Sequence, residues 1–302
     1  MNVRRPTEAD AAAVTGVMSA FDLALVGQAE ADANDVLHEW HQLDLGRDAW
    51  IIELDGRIAG FCELTKRSDE LLADGYVHPD FFGRGVGSRL VDLTEEEAIA
   101  RGAPALRNDV LGADERAHAL LDGRGYRPVR HFYRMLVELK EPPPEPDWPE
   151  GFRISSLDHP SETRAFHAAL EEVFEDEWDH EPESYESWHK RRVERKSFDA
   201  SLWFTVKHGD ELVAVSVCDW KRYGMGFVGA IGVRKPWRRR GLALALLRHT
   251  FGEFYRRGER TIGLGVDASN PTGATHLYER AGMHVAWNAV IFEKDLAAAG
   301  SL

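Results

Sequence analysis

Between residues 242 and 254, apolar side chains recur at three- and four-residue steps. Leu244, Leu247 and Phe251 fall on one face, which predicts a helix with one buried stripe. Just upstream, residues 227–233 form a short apolar run and read as a strand. Between the two lies Arg234-Lys-Pro-Trp-Arg-Arg-Arg-Gly241, a basic turn. The first half of the chain repeats this pattern. A strand over 71–78 leads into Pro79-Asp-Phe-Phe-Gly-Arg-Gly-Val-Gly-Ser88, and a helix runs on from Arg89.

The remaining pattern falls into two similar series. In the first, a short strand near Val3 precedes a helix capped at Thr7 that carries Ala11, Val14, Met18 and Phe21. A mixed polar segment over 30–47 follows. Residues 49–54 and 57–64 flank Asp55-Gly56 and read as a hairpin. After the glycine turn come a strand over 105–110, a short helix over 116–122 and a closing strand over 132–139. The second series has a strand over 152–155, a helix over 161–174 and an acidic, aromatic segment over 175–188. A hairpin across His208-Gly-Asp210 then precedes the basic turn. A strand over 261–267, a short helix after Asn270 and a closing strand over 287–294 complete it.

Gly85 and Gly241 are separated by 156 positions (241 − 85), and Gly125 and Gly282 by 157 (282 − 125). The expectation is an internal duplication of one α+β unit. Residues 1–139 form the first domain, 140–150 a proline-rich linker, and 151–302 the second domain. Glu141-Pro-Pro-Pro-Glu-Pro-Asp147 can continue neither helix nor strand.

Composition narrows the picture. A chain of 302 residues is comfortable for two domains, and its net charge of −14 argues against general nucleic-acid binding. Cys62 and Cys218 are the two cysteines, one in each half, so a disulfide framework is not expected. Metal-ligand spacings are absent, and no metal is expected. The opening residues lack a signal-peptide core and no stretch is long and apolar enough to span a membrane, so the expectation is a cytoplasmic protein, monomeric or homodimeric.

The basic turn is suited to an anion. Gly241 lets a ligand approach the backbone, the following helix begins with unpaired N–H groups, and Arg238, Arg239 and Arg240 add charge. Neither half contains a P-loop. Gly83-x-Gly85-x-x-Ser88 comes close to a dinucleotide fingerprint, but no acidic residue closes the next strand.

Arg238-x-x-Gly241-x-Ala243, between a strand and a helix, resembles the GCN5-related N-acetyltransferase (GNAT) family. Asn270, Leu277-Tyr278 and Gly282 resemble its second motif. The resemblance implies two tandem α+β domains, each with a mixed, mostly antiparallel twisted sheet flanked by helices. It implies acetyl-CoA in a wedge between two central strands, held by Ile231, Gly232, Val233, Arg238, Arg239, Arg240, Gly241, Leu242, Ala243, Asn270 and Tyr278. A second cofactor site would comprise Val77, Arg84, Gly85, Val86, Gly87 and Ser88. In the first half, however, Phe82 stands at the arginine position and Leu121 at the tyrosine position. Catalysis is therefore expected in the second half. The tandem arrangement also resembles two-domain members that acetylate the cysteinyl amine of a thiol glycoconjugate.

By the same resemblance, a neutral amine attacks the thioester directly in a ternary complex, and Tyr278 protonates the leaving sulfur. Asp219 is one candidate base; Asp176 and His180 are others. Phe174, Asp176 and Trp178 are candidate substrate contacts, and an acidic loop at the site would suit a cationic acceptor. The expected acceptor is a small-molecule primary amine. Acetylation of a protein or peptide amine, or non-catalytic acyl-CoA sensing, are the alternatives.

Overall fold

A computed structural model describes residues 1–67, 70–178, 180–269 and 273–297. The first half contains β1 (Asn2–Arg4), α1 (Ala11–Leu25), α2 (Ala33–Trp40), α3 (Leu45–Asp48), β2 (Ala49–Leu54), β3 (Arg57–Arg67), β4 (Glu70–Val77), α4 (Val86–Ala100), β5 (Ala105–Leu111), α5 (Glu115–Asp122) and β6 (Arg127–Glu138). The second contains β7 (Phe152–Ser156), α6 (Thr163–Phe174), α7 (Tyr185–Arg192), β8 (Phe204–His208), β9 (Glu211–Arg222), β10 (Met225–Val233), α8 (Leu242–Arg256), β11 (Thr261–Asp267), α9 (Ala274–Arg280) and β12 (His284–Asp295). The duplicated α+β order read from the sequence is present. The polar segment over 30–47 folds into α2 and α3, and α7 occupies part of the acidic segment. Asp32 and Ser184 cap α2 and α7, each accepting a backbone N–H.

Two compact units emerge. Unit 1 comprises Met1–Phe132 and Trp287–Leu302; unit 2 comprises Tyr133–Ala286. Unit 1 has the strand order β1-β2-β3-β4-β5-β12, and unit 2 the order β6-β11-β10-β9-β8-β7. Each sheet has a central parallel pair, β4 with β5 and β10 with β11, and the pairs β1–β2, β2–β3, β3–β4, β5–β12, β7–β8, β8–β9 and β9–β10 are antiparallel.

The closing strands are thus exchanged, whereas the sequence pattern assigns each to its own half. Met135, Val137 and Leu139 of the β6 stretch pack into the core of unit 2, and the Leu139 N–H donates to the Arg260 carbonyl at 2.7 Å. Val290, Phe292 and Leu296 pack into the core of unit 1, with residues 289–295 antiparallel to β5. Each half ends in a strand with an apolar run, 135–137 and 289–292, so local pattern does not say which sheet each joins. The proline-rich stretch runs along unit 2, where Trp148 packs on its core.

Candidate active site

In unit 2, β10 pairs antiparallel with β9, with a first register shift between Met225 and Phe227 ahead of the pairs Phe227↔Asp219 and Val228↔Cys218. A second register shift follows between Val228 and Ala230. This β-bulge bends the strand at Gly229. The parallel pairing with β11 also ends there, at Val228↔Leu264. Residues 229–233 therefore continue along β9 while β11 leaves them, opening a wedge. Gly232 lies on its lip. A Cβ at Gly232 would fall 1.9 Å from Cγ1 of Val173, so only glycine admits the end of α6 this closely.

The turn itself has an anion-receiving geometry. Gly241 is the N-cap of α8 at φ +85°, with no side-chain cap and no acidic residue in the first turn. A Cβ there would meet nothing within 4 Å, so the backbone is open to a ligand. The first N–H groups of α8 have no partner within the helix, and the helix dipole favours an anion. Arg239 and Arg240 are exposed, and Arg240 lies 4.9 Å from the Trp237 ring centroid. Arg238 points differently. Its Nε donates to the Val233 carbonyl at 3.0 Å, and a terminal nitrogen donates to the Val173 carbonyl at 3.5 Å. Its side chain pins the turn to β10 and α6. Ile231, Gly232 and Val233 border the wedge, and Leu242 and Ala243 begin α8; Leu242 is buried in the core.

Tyr278 lies in α9, which packs against α8, and is buried in the unit 2 core. Burial first, and the Glu177 carboxylate second, push its hydroxyl pKa upward, so the phenol stays protonated at neutral pH. Asn270 lies outside the described residues.

The acidic segment is brought to the turn. Lys235 binds Glu175 and Asp176, the latter at 2.8 Å, and Arg234 binds Glu172 at 2.7 Å. The hydrogen bond from Lys235 holds the Asp176 pKa down. Asp176 is exposed, while Phe174 and Trp178 are half-buried. His180 Nε2 lies 3.4 Å from Glu171. Asp219 is buried, with its carboxylate between Arg195 and Arg222, the second at 3.4 Å. Two guanidiniums on one carboxylate stabilise its charged form and weaken it as a proton acceptor.

The turn of unit 1 has the same backbone with different contents. Gly85 caps α4 at φ +82° without a side-chain cap. Arg84 is engaged by Asp55 at 2.9 Å. Phe82, at the arginine position, lies under Arg116 with its ring centroid 3.9 Å from the guanidinium carbon. Tyr76, 156 positions before Gly232, packs edge-on against Phe21 at 5.4 Å, and Phe21 against Phe82 at 6.3 Å. β3 and β4 pair in register from Gly60↔Val77 to Arg67↔Glu70 without a bulge. Val77 and Ser88 are half-buried, Val86 is buried, and Gly87 sits in the first turn of α4. Leu121 occupies the place of Tyr278. Its carbonyl accepts the Tyr126 N–H at 3.0 Å, as the Tyr278 carbonyl accepts that of Met283.

Sequence reading did not single out Gly229, Val173 or Lys235. The alternating glycines of Met225-Gly-Phe-Val-Gly-Ala-Ile-Gly232 were a usable signal, since glycine inside a strand marks a bulge or a close approach. Both cysteines are buried, and burial pushes the Cys218 thiol up to about 12, which suits packing rather than nucleophilic work. Among the described residues, no group of three or more His, Cys, Asp or Glu is arranged to hold a metal ion, and no helix is long and apolar enough to cross a membrane.

Two α+β units, each with a central parallel strand pair leading into an αL-glycine turn at a helix N-terminus, define the class of acyl-CoA-dependent acyltransferases. The chain belongs to the GNAT family of acetyltransferases, whose profile it matches twice, over residues 16–126 and 163–283. It is 28% identical to the mycothiol acetyltransferase of Catenulispora acidiphila, over 93% of this chain and 94% of that protein. It is 29% identical to that of Thermobispora bispora, over 77% and 79% of the two chains. The crystal structure of a GCN5-related N-acetyltransferase from Sphaerobacter thermophilus superposes with a TM-score of 0.86 at 36% identity, over 98% of this chain and 95% of that one. A tandem GNAT protein from the clavulanic acid biosynthesis pathway has a TM-score of 0.77 at 16% identity and shares the fold, over 97% and 98% of the two chains. The chain is an acetyltransferase of this family, a family that uses acyl-CoA donors.

Proposed function

We propose that this protein transfers acetyl from acetyl-CoA to the primary amine of a small molecule, and that unit 2 carries the reaction. The difference between the two wedges carries this reading. In unit 2 the strand is bulged and glycine-lined, its turn arginines 239 and 240 are exposed, and a buried tyrosine stands on the adjoining helix. In unit 1 the strand is regular, Arg84 is engaged by Asp55, Tyr76, Phe21 and Phe82 pack together, and Leu121 replaces the tyrosine. The kinship with mycothiol acetyltransferases supports a small-molecule amine, and acetylation of the cysteinyl amine of a thiol glycoconjugate is the particular reaction their name suggests.

Acetyl-CoA supplies an activated thioester and a pyrophosphate. The residues fit such a group: the α8 N-terminus and exposed Arg239 and Arg240 receive the pyrophosphate, and Gly241 leaves the approach open. Asn270 belongs to the same proposed set. Backbone N–H groups of 231–233 stabilise charge developing on the carbonyl oxygen. As the amine nitrogen forms its bond to carbon and the carbon–sulfur bond breaks, the Tyr278 hydroxyl gives its proton to sulfur. The attacking amine loses its own proton to water or to a nearby acceptor. His180, hydrogen-bonding distance from Glu171, is better suited to that role than Asp219, which two arginines hold. Gly85 to Ser88, with Val77 and Arg84, are assigned a supporting rather than a catalytic role.

The test is acetyl-CoA-dependent thiol release with a panel of amines, for the wild type, Arg238→Ala and Phe82→Ala. Arg238→Ala is expected to weaken acetyl-CoA binding and Phe82→Ala to leave it nearly unchanged. The opposite ranking moves the reaction to unit 1. Tight acetyl-CoA binding without release for any amine overturns the amine-acceptor reading.

A further inference from the structure

The unit 2 turn carries five cations, Arg234, Lys235, Arg238, Arg239 and Arg240, and they are not equally available. Arg234 binds Glu172 at 2.7 Å and Glu211 at 3.0 Å, and donates to the Leu212 carbonyl at 2.9 Å. Arg238 is spent on the Val233 and Val173 carbonyls. Arg239 and Arg240 are exposed. Lys235 is the intermediate case. It reaches from the turn to the segment just past α6, where it binds Glu175 and both oxygens of Asp176, at 2.8 and 3.0 Å. The Lys235 side chain is 42% exposed, that of Glu175 50% and that of Asp176 51%. Ion pairs this open to water contribute little to stability, so an incoming anion can replace them.

The position of the contact relates it to the donor. Three residues before Lys235 is Gly232, the lip on which Val173 of α6 packs, and six residues after it is Gly241, the N-cap of α8. Carboxylates of the chain itself therefore sit on a cation of the turn that is shaped for an anion. A phosphate offers an ammonium more negative charge and more acceptor oxygens than a carboxylate does. Unit 1 lacks this contact. Position 79, which matches Lys235 (235 − 156), is Pro79, and the two residues open equivalent one-turn 3₁₀ helices, Pro79–Phe81 and Lys235–Trp237. The added cation thus belongs to the unit whose turn also keeps exposed arginines.

We infer that Lys235 binds a phosphate of the acyl-CoA donor, and that Glu175 and Asp176 hold its place until the donor displaces them. This deepens the reading of unit 2 as the working unit and rests on it for the identity of the ligand. In the free protein the competent turn is then a fraction of the population, and apparent donor affinity is lowered by that fraction. Removing the two carboxylates therefore raises donor affinity. Loss of a merely structural tie between α6 and the turn would lower it or leave it unchanged.

The experiment is calorimetric titration with acetyl-CoA of the wild type, the double variant Glu175→Gln/Asp176→Asn, Lys235→Gln, and the three changes together. The double variant is expected to bind about three- to tenfold tighter, the shift that freeing a site from an exposed ion pair gives. Lys235→Gln should bind more weakly than the wild type, and in that background the carboxylate changes should alter affinity by less than about twofold. Unchanged or weaker binding in the double variant overturns the inference. So does an equal gain with and without Lys235, because that reports only the field of two removed charges. Titration with 3′-dephospho-CoA says which phosphate is held: a loss in Lys235→Gln that persists assigns the pyrophosphate, and one that disappears assigns the 3′-phosphate. If the wild type binds no acetyl-CoA, the donor reading fails, and titration with inorganic pyrophosphate decides the inference by itself. Tighter binding in the double variant that needs Lys235 supports it; no binding, or equal binding in the variants, overturns it. Thermal melting shows that the variants are folded.

Discussion

Gly83 and Arg239 occupy the same left-handed backbone position in the two turns, at φ +72° and +67°. Glycine adopts this conformation without steric cost, whereas an L residue pays roughly 1–2 kcal/mol for it. Unit 2 thus keeps a strained arginine at its anion turn where unit 1 has a relaxed glycine. Strain of this kind concentrates at working sites. Arg239→Gly is expected to leave thermal stability unchanged or raise it by up to about 1 kcal/mol, because relief of strain outweighs the added freedom of the unfolded chain. The same change should weaken acetyl-CoA binding. Parallel melts and titrations check both; a stability loss above about 1 kcal/mol contradicts the strain argument.

Gly232→Ala sets a methyl against Val173, where the built Cβ falls 1.9 Å from Cγ1. Overpacking of this kind costs about 1–3 kcal/mol and moves α6 from the wedge. Val173→Ala in the same chain should recover most of the loss. A double-mutant cycle measured by chemical denaturation gives the coupling, and independent, additive effects would contradict the close approach.

Tyr278→Phe should lower turnover by roughly 10²–10⁴ while acetyl-CoA affinity changes little. The raised hydroxyl pKa adds a pH signature. Because the acid form persists above the ordinary value of 10.0, the wild-type rate should not decline between pH 7 and 10 through loss of this proton. An alkaline limb in that range that disappears in Tyr278→Phe would contradict it.

Glu63 gives a stability test in unit 1. It pairs across strands with Asp74, and burial first, then Glu39, raise its pKa from 4.5 to about 7. Between those values the folded chain holds a proton that the unfolded chain has released. Its contribution is therefore fully present below about pH 4.5 and lost as pH rises through 7. Glu63→Gln should raise stability at pH 8, by about 1–3 kcal/mol, and change it little at pH 4. Thermal midpoints across the range check this; an equal shift at both pH values would not fit.

The sequence by itself determined the repeated α+β order, both glycine turns and the imbalance between Arg238 and Phe82. These are local: helical spacing, an Asp-Gly hairpin and an αL glycine are written in a few consecutive residues. It also supplied Tyr278 and the arginine turn, because each belongs to a short motif. What only the tertiary structure decided depends on residues distant along the chain. Whether Tyr133 onward joins its own half or the other is a question of sheet partner, and both closing strands carry an apolar run that would suit either sheet. That Arg238 is spent on the Val233 and Val173 carbonyls, and that Arg195 and Arg222 hold Asp219, both follow from packing α6 and the segment after α7 on the sheet. A charge pattern read along one segment records which charges exist. Only folding decides which of them neutralise one another and which remain for a ligand.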